Sequence, residues 1–187
     1  MKCIVTYSSK YGSAKKYAKW IGEALSCEVK DIKSVRSDML QNYDVIIHGG
    51  SLYAGGVSGM KQLVKLYPSI RDKKLILFTC GLADPTSPQN VMHIEKGIAK
   101  TVPKDMYNNM KQFHFRGGID YSRLSLIHRA MMWMLCQTMK KKGYEHLSDD
   151  DKLMLDTYGK QIDFSDQSTI KVLVDYVTAL SLQRRAR

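Results

Sequence analysis

This chain predicts an α/β fold, a doubly wound five-stranded parallel sheet with helices on both faces, and two observations carry the prediction. Apolar runs of strand length alternate with segments of helical periodicity, the rhythm that winds successive strands in parallel. That alternation is also the signature of a parallel sheet covered by helices on both faces. With 187 residues, 44% hydrophobic and 25% charged, the chain fills one sizeable core and leaves no material for a second domain.

The elements follow in order. Strands are expected at Lys2 to Tyr7, Cys27 to Ile32, Asp44 to Gly49, Lys74 to Thr79 and Lys111 to Phe115. Between them, helical spacing marks Ser13 to Leu25, Val57 to Leu66 and Pro88 to Lys100. A final helix from Ser168 to about Leu182 starts at the capping cluster Ser165, Asp166 and Ser168. Between the fifth strand and that helix lies a helical insertion, residues 119 to 165. In such a sheet the ligand crevice opens at the carboxyl ends of the strands, where the winding reverses.

Charge and cysteines narrow the class. Lys plus Arg number 29 against 18 Asp plus Glu, a formal charge of +11, which favours phosphates, acidic partners or anionic lipid. Charge alone does not choose among these, and nucleic acid is not an expected partner. Cys3, Cys27, Cys80 and Cys136 are scattered without a Cys-x-x-Cys, so free thiols, a reduced cytoplasmic protein and no metal centre are expected. No apolar run reaches the length of a membrane span, and no leader pattern opens the chain.

The densest signal is Ser8-Ser9-Lys10-Tyr11-Gly12-Ser13, between the first strand and the first helix. A strand that ends in hydroxyls and glycine, then turns into a helix, offers unpaired amides and partial positive charge to an anion. The turn has neither the Gly-x-Gly-x-x-Gly of a dinucleotide site nor the Gly-Lys-Ser/Thr of a P-loop. A cysteine phosphatase loop fails because Cys3 opens the strand and no arginine precedes Arg36; a magnesium-binding receiver fails for want of carboxylates. A phosphate monoester fits what is left, beside the ordinary reading of a capped helix start.

Two more loops reach the same edge. Gly49-Gly50-Ser51-Leu52-Tyr53-Ala54-Gly55-Gly56 sets four glycines around one aromatic ring, so bare backbone can approach a flat ligand and Tyr53 can lie on its face. Thr79-Cys80-Gly81-Leu82-Ala83-Asp84 follows the fourth strand.

These residues carry a family resemblance. Ser8 to Ser13 resembles the phosphate loop of flavodoxins, Tyr43 to Gly55 their first isoalloxazine loop, and Thr79-Cys80-Gly81 their second. Within that superfamily, the length and the tract Phe115-Arg116-Gly117-Gly118 before an aromatic, basic helix are most similar to the menaquinone-dependent protoporphyrinogen oxidase branch. The resemblance implies FMN as cofactor, with phosphate contacts from Ser8, Ser9, Lys10, Tyr11, Gly12, Ser13 and Ala14. The ring would lie among Ser51, Leu52, Tyr53, Ala54, Gly55, Thr79, Cys80, Gly81 and Leu82. Ala14 stands where that branch usually has threonine, the second loop lacks an aromatic ring, and the basic charge departs from acidic carrier flavodoxins. One flavin face would then stand open to a flat substrate.

The insertion is the most distinctive part. Tyr121 to Lys142 reads as one helix rich in Met, Leu and Trp, with Arg123, His128 and Arg129 at one end and Lys140, Lys141 and Lys142 at the other. Gly143 stops it, and Ser148 starts a short helix to about Gly159. Because the fifth strand delivers the chain to the flavin edge, Tyr121 and Arg123 are expected within reach of a substrate. The helix itself suits core packing, a homodimer interface, substrate contact or the surface of a membrane. His48, His93 and His114 lack metal-ligand spacing, and Cys80 reads as a small residue in a tight loop.

The resulting expectation is an FMN-dependent oxidoreductase acting on a quinone, a porphyrinogen or another flat redox substrate, cytoplasmic or peripheral at the inner face of the membrane. The alternatives are a carrier that passes electrons to a redox protein, and a flavin-free anion-binding module. No catalytic acid or base stands out.

Overall fold

The hydrophobic runs and the helical segments become sixteen regular elements in a computed structural model that describes residues 1–53 and 56–185. In chain order these are β1 (Cys3–Ser8), α1 (Ser13–Leu25), β2 (Glu28–Asp31), α2 (Ser37–Leu40), β3 (Val45–Tyr53), β4 (Gly56–Val57), α3 (Met60–Leu66) and β5 (Lys74–Gly81). There follow α4 (Pro88–Ala99), α5 (Lys104–Asn109), β6 (Met110–Arg116), β7 (Gly118–Asp120), α6 (Leu126–Lys142), α7 (Asp149–Asp156), β8 (Gln161–Asp163) and α8 (Lys171–Arg185).

The five long strands form one parallel sheet in the order β2-β1-β3-β5-β6, so the winding reverses between β1 and β3. Side chains alternate across the sheet and feed two cores. Ile4, Ile46, Leu75 and Leu77 pack beneath Leu40, Leu63, Ile98 and Met106 of the helices on one face. Val5, Val45, Ile47, Ile76 and Phe78 meet Tyr17, Ala18, Ile21, Leu173 and Val177 from α1 and α8 on the other. Such full burial of aliphatic strands is the main stabilising term, roughly 25 cal/mol per Å² removed from water.

Register sets the site. Ser8 pairs with Gly50, Gly50 with Thr79 and Thr79 with His114, so three loop origins stand in one row across the sheet.

Some expectations shift. The third helix begins at Met60 and not at Val57, because Gly56 and Val57 fold back as β4 against Leu52 and Tyr53. In the insertion, residues 121–123 form a separate 3-10 turn, and Ser125, whose hydroxyl accepts the His128 N–H, caps a helix starting at Leu126. Its two ends are joined by a ribbon, β7 against β8, that periodicity did not reveal. The expectation of four free thiols is also corrected: Cys3 and Cys27 are joined in a disulfide, while Cys80 and Cys136 are free and buried. The pairing follows from register, since Ile4 lies opposite Glu28 and the residues before them are neighbours too.

Candidate functional site

At the carboxyl ends of the strands a cavity of about 270 Å³ opens between the three loops and α6. Tyr11 and Ser13 line it from the loop after β1, Ser51, Leu52 and Tyr53 from the end of β3, and Cys80, Gly81 and Leu82 from the end of β5. Gly117, Gly118 and Ile119 close one side, and Leu124, His128, Met131 and Met132 form a wall. Its walls are mainly apolar and built on strand ends, as a flat hydrophobic ring requires.

Hydrogen bonds fix the loops to one another. The Ser58 hydroxyl donates to the Ser8 carbonyl (2.7 Å) and accepts from the Ser51 N–H (2.8 Å), clamping the first loop to the second. Behind it, the His48 Nε2–H donates to the Ser58 carbonyl (3.2 Å), and Nδ1 lies 3.0 Å from the Thr6 hydroxyl. Gly59 must be glycine: its φ is +80°, and a Cβ would meet Ser8 at 2.7 Å and His48 at 2.8 Å. On the far side, Gly117 N–H donates to the Gly81 carbonyl (2.7 Å) and Gly118 N–H to the Ser13 hydroxyl (3.2 Å). Arg116 holds the Leu82 carbonyl through Nε (3.1 Å) with its guanidinium 4.2 Å from the Phe164 ring centroid.

The first loop keeps an anion-ready helix start. No side chain caps α1, its first turn carries no carboxylate, and Gly12 takes a φ of +108° to turn the chain into the helix. Ser9 accepts the Gly12 N–H at 3.0 Å and so shapes the loop.

Three rings meet at the mouth. Tyr53 stacks on His128 with centroids 5.3 Å apart and planes 22° from parallel, and Tyr11 touches both edge-on at 5.9 and 5.8 Å. Burial pushes the Tyr53 hydroxyl up to about 12 and raises the Cys80 thiol, so neither ionises near neutrality. Cys80 is thereby a poor nucleophile and serves as a small wall residue.

The remaining site candidates separate. Thr79 is fully buried, with its hydroxyl 2.8 Å from Nδ1 of His114, below the cavity floor. Ala14 is fully buried in the core under α1, so only its backbone can face a ligand. Lys10 is exposed, its Nζ 5.6 Å from the Tyr11 ring centroid. Tyr121, expected near a substrate, is buried edge-on against Tyr158 at 5.0 Å. Arg123 lines a neighbouring cavity of about 240 Å³ with Gly12, Ser13 and Lys16, on the side of the phosphate-type loop. Ala54 and Gly55 lie outside the described residues. Ser58 was not anticipated at the site, and His128 and Met132 not individually, whereas the Met-rich helix with Met131 was expected as one candidate wall for a flat substrate; spacing at one face of an apolar helix was the available signal. Among the described residues no cluster of three or more His, Cys, Asp or Glu could hold a metal ion.

A sequence model described as the flavodoxin domain matches residues 4–146, from the first strand to beyond α6. The chain belongs to the flavodoxin domain family. Its sheet order, β2-β1-β3-β5-β6, is that of a flavodoxin-like doubly wound fold. Among solved structures, a flavodoxin from the domain Archaea is 18% identical over 66% of this chain and 89% of its own, with a TM-score of 0.40. An NADH:FMN oxidoreductase in its apo form is 14% identical over 62% of this chain and 75% of that one, at a TM-score of 0.44. A flavoprotein in complex with FMN from Lactobacillus acidophilus NCFM is 16% identical over 62% of this chain and 91% of that one, at 0.41. No curated protein is a significant match.

Proposed function

We propose that this chain is an FMN-dependent oxidoreductase whose electron partner is a quinone, a porphyrinogen or another flat conjugated molecule. The observation that carries this reading is the convergence of an uncapped, hydroxyl-lined helix start with an apolar, aromatic-edged cavity at the switch point of a flavodoxin-family sheet. Ser9, Ser13 and the first-turn amides of α1 would hold the phosphate, and Tyr53, Leu52, Gly81 and Leu82 the ring. Bound there, FMN supplies the electron chemistry. Ser58 and Gly118 keep the loops at a fixed distance, and Met131 and Met132 of α6, with Leu124 just before the helix, exclude water from the open side.

The α6 wall favours a small flat partner over a protein one, because it covers the side from which a docked redox protein would approach. Electron transfer to a redox protein is the second reading, favoured by membership of a family that includes flavodoxins. Peripheral contact with a membrane goes with the first.

Titration of the apoprotein with FMN, FAD and riboflavin tests the cofactor. FMN is expected to bind most tightly, and riboflavin binding as tightly as FMN removes the phosphate assignment. Stopped-flow reoxidation of the reduced protein by quinones, porphyrin precursors and flavoprotein partners then separates enzyme from carrier.

A further inference from the structure

Helix α6 is apolar on two sides. Inward, His128, Met131 and Met132 line the crevice, and Cys136 and Met139 continue the same face into the buried interior. Outward, Leu126 is 80% exposed, Ile127 73%, Trp133 56% and Met134 61%. A soluble surface seldom presents so contiguous a patch without a partner for it. The chain from Tyr121 to Lys142 contains no Asp or Glu, and places Arg123 and Arg129 at one end and Lys140, Lys141 and Lys142 at the other.

We propose that the outward face of α6 docks on an anionic lipid bilayer, with the helix lying in the plane of the interface. At 17 residues it is about 25 Å long, and no helix among the described residues is long and apolar enough to cross a membrane. Leu126, Ile127 and Met134 enter the acyl boundary, Trp133 sits at headgroup depth, and the terminal cations meet lipid phosphates. A second copy of this chain fits less well, because two such faces would bring like charges together in a protein that already carries +11. Since the opposite side of α6 lines the crevice, docking holds the crevice one helix diameter, roughly 10 Å, from the lipid, a short path for an electron partner that leaves the bilayer around the end of the helix. Only this last consequence rests on the flavin reading.

The test uses the full chain with vesicles of phosphatidylcholine alone or with a quarter phosphatidylglycerol, read by co-sedimentation and tryptophan emission. Binding to the anionic vesicles, a blue shift absent in Trp133→Phe, and a loss of about tenfold or more in Trp133→Ser/Met134→Ser are expected. Changing Lys140, Lys141 and Lys142 to Gln should erase the preference for anionic lipid while circular dichroism stays unchanged. Absence of binding at low salt, binding unchanged in both variants, or a wild-type dimer that the double variant makes monomeric each overturns the proposal. So does selective capture of acidic proteins by α6 with no vesicle binding. FMN titration of the same samples without vesicles keeps the readings apart: docking without flavin binding overturns the cofactor assignment, and flavin binding without docking overturns only this one.

Discussion

The Tyr11 hydroxyl lies 2.7 Å from Nδ1 of His128 and joins the loop after β1 to a helix 117 residues further on. The same hydroxyl accepts the Ser125 N–H at 3.3 Å, which directs its own proton toward the imidazole. One phenol therefore pins the start of α6 over the crevice. A flat ring inserted between Tyr53 and His128 needs about 7 Å, two stacking distances, against the 5.3 Å present. Cofactor binding should then push His128 outward and break the Tyr11 contact. Tyr11→Phe is expected to lower the stability of the flavin-free protein by about 1 kcal/mol and to tighten FMN binding by a similar amount. Chemical denaturation with and without FMN measures both, and an equal stability loss in the two states refutes the displacement.

Ser58 holds two site loops with one hydroxyl. Ser58→Ala leaves the Ser51 N–H and the Ser8 carbonyl short of a partner, at a cost of about 1–3 kcal/mol. FMN affinity should fall about tenfold with it, and Ser58→Thr should restore most of the loss. Calorimetric titration of the three proteins decides; unchanged affinity in the alanine variant means the loops hold their spacing without the clamp.

Tyr53 offers the only aromatic face that the two ring loops bring to the cavity among the described residues. An electron-rich ring stacked on a flavin quenches its emission and disfavours the reduced form. Tyr53→Ala should brighten bound FMN and raise its reduction potential. Steady-state fluorescence and a dye-coupled potential titration test this, and no movement in either places Tyr53 away from the ring.

His48 makes stability depend on pH. Burial lowers its pKa to about 4 from the ordinary 6.5. Between these values the unfolded chain binds a proton that the folded chain refuses, so the contribution is complete above about 6.5 and is lost as pH falls toward 4. The gap corresponds to about 3 kcal/mol. Urea melts at pH 7 and pH 5 should show a marked loss for the wild type and a smaller one for His48→Gln. Parallel behaviour of the two proteins would assign the acid sensitivity to other groups.

β1, β3 and β5 were legible as largely apolar runs bounded by turn residues, β2 and β6 as shorter mixed runs that continue the same rhythm, and α1 was legible to the residue because its buried positions repeat at helical spacing. The strand-end loops were legible from their glycines and hydroxyls. β4, β7 and β8 were not, since two or three residues carry no period. Ser58 looked like part of a helix, and its role appears only when β4 turns back on β3. His128 and the Cys3–Cys27 pair depend on contacts that register and topology create, which local composition does not encode.

The β7–β8 ribbon places Asp120 directly opposite Gln161. Everything between them leaves the sheet body and returns to it at one point. The insertion is thus a cassette, a closed excursion whose length the parallel sheet does not sense, since extending a loop with fixed ends costs little entropy. Bridging Asp120 to Gln161 with a tight turn would excise α6 and α7 while preserving the register of all five parallel strands. A chain built this way can exchange what stands over its crevice by swapping one contiguous stretch of gene, leaving the crevice floor untouched.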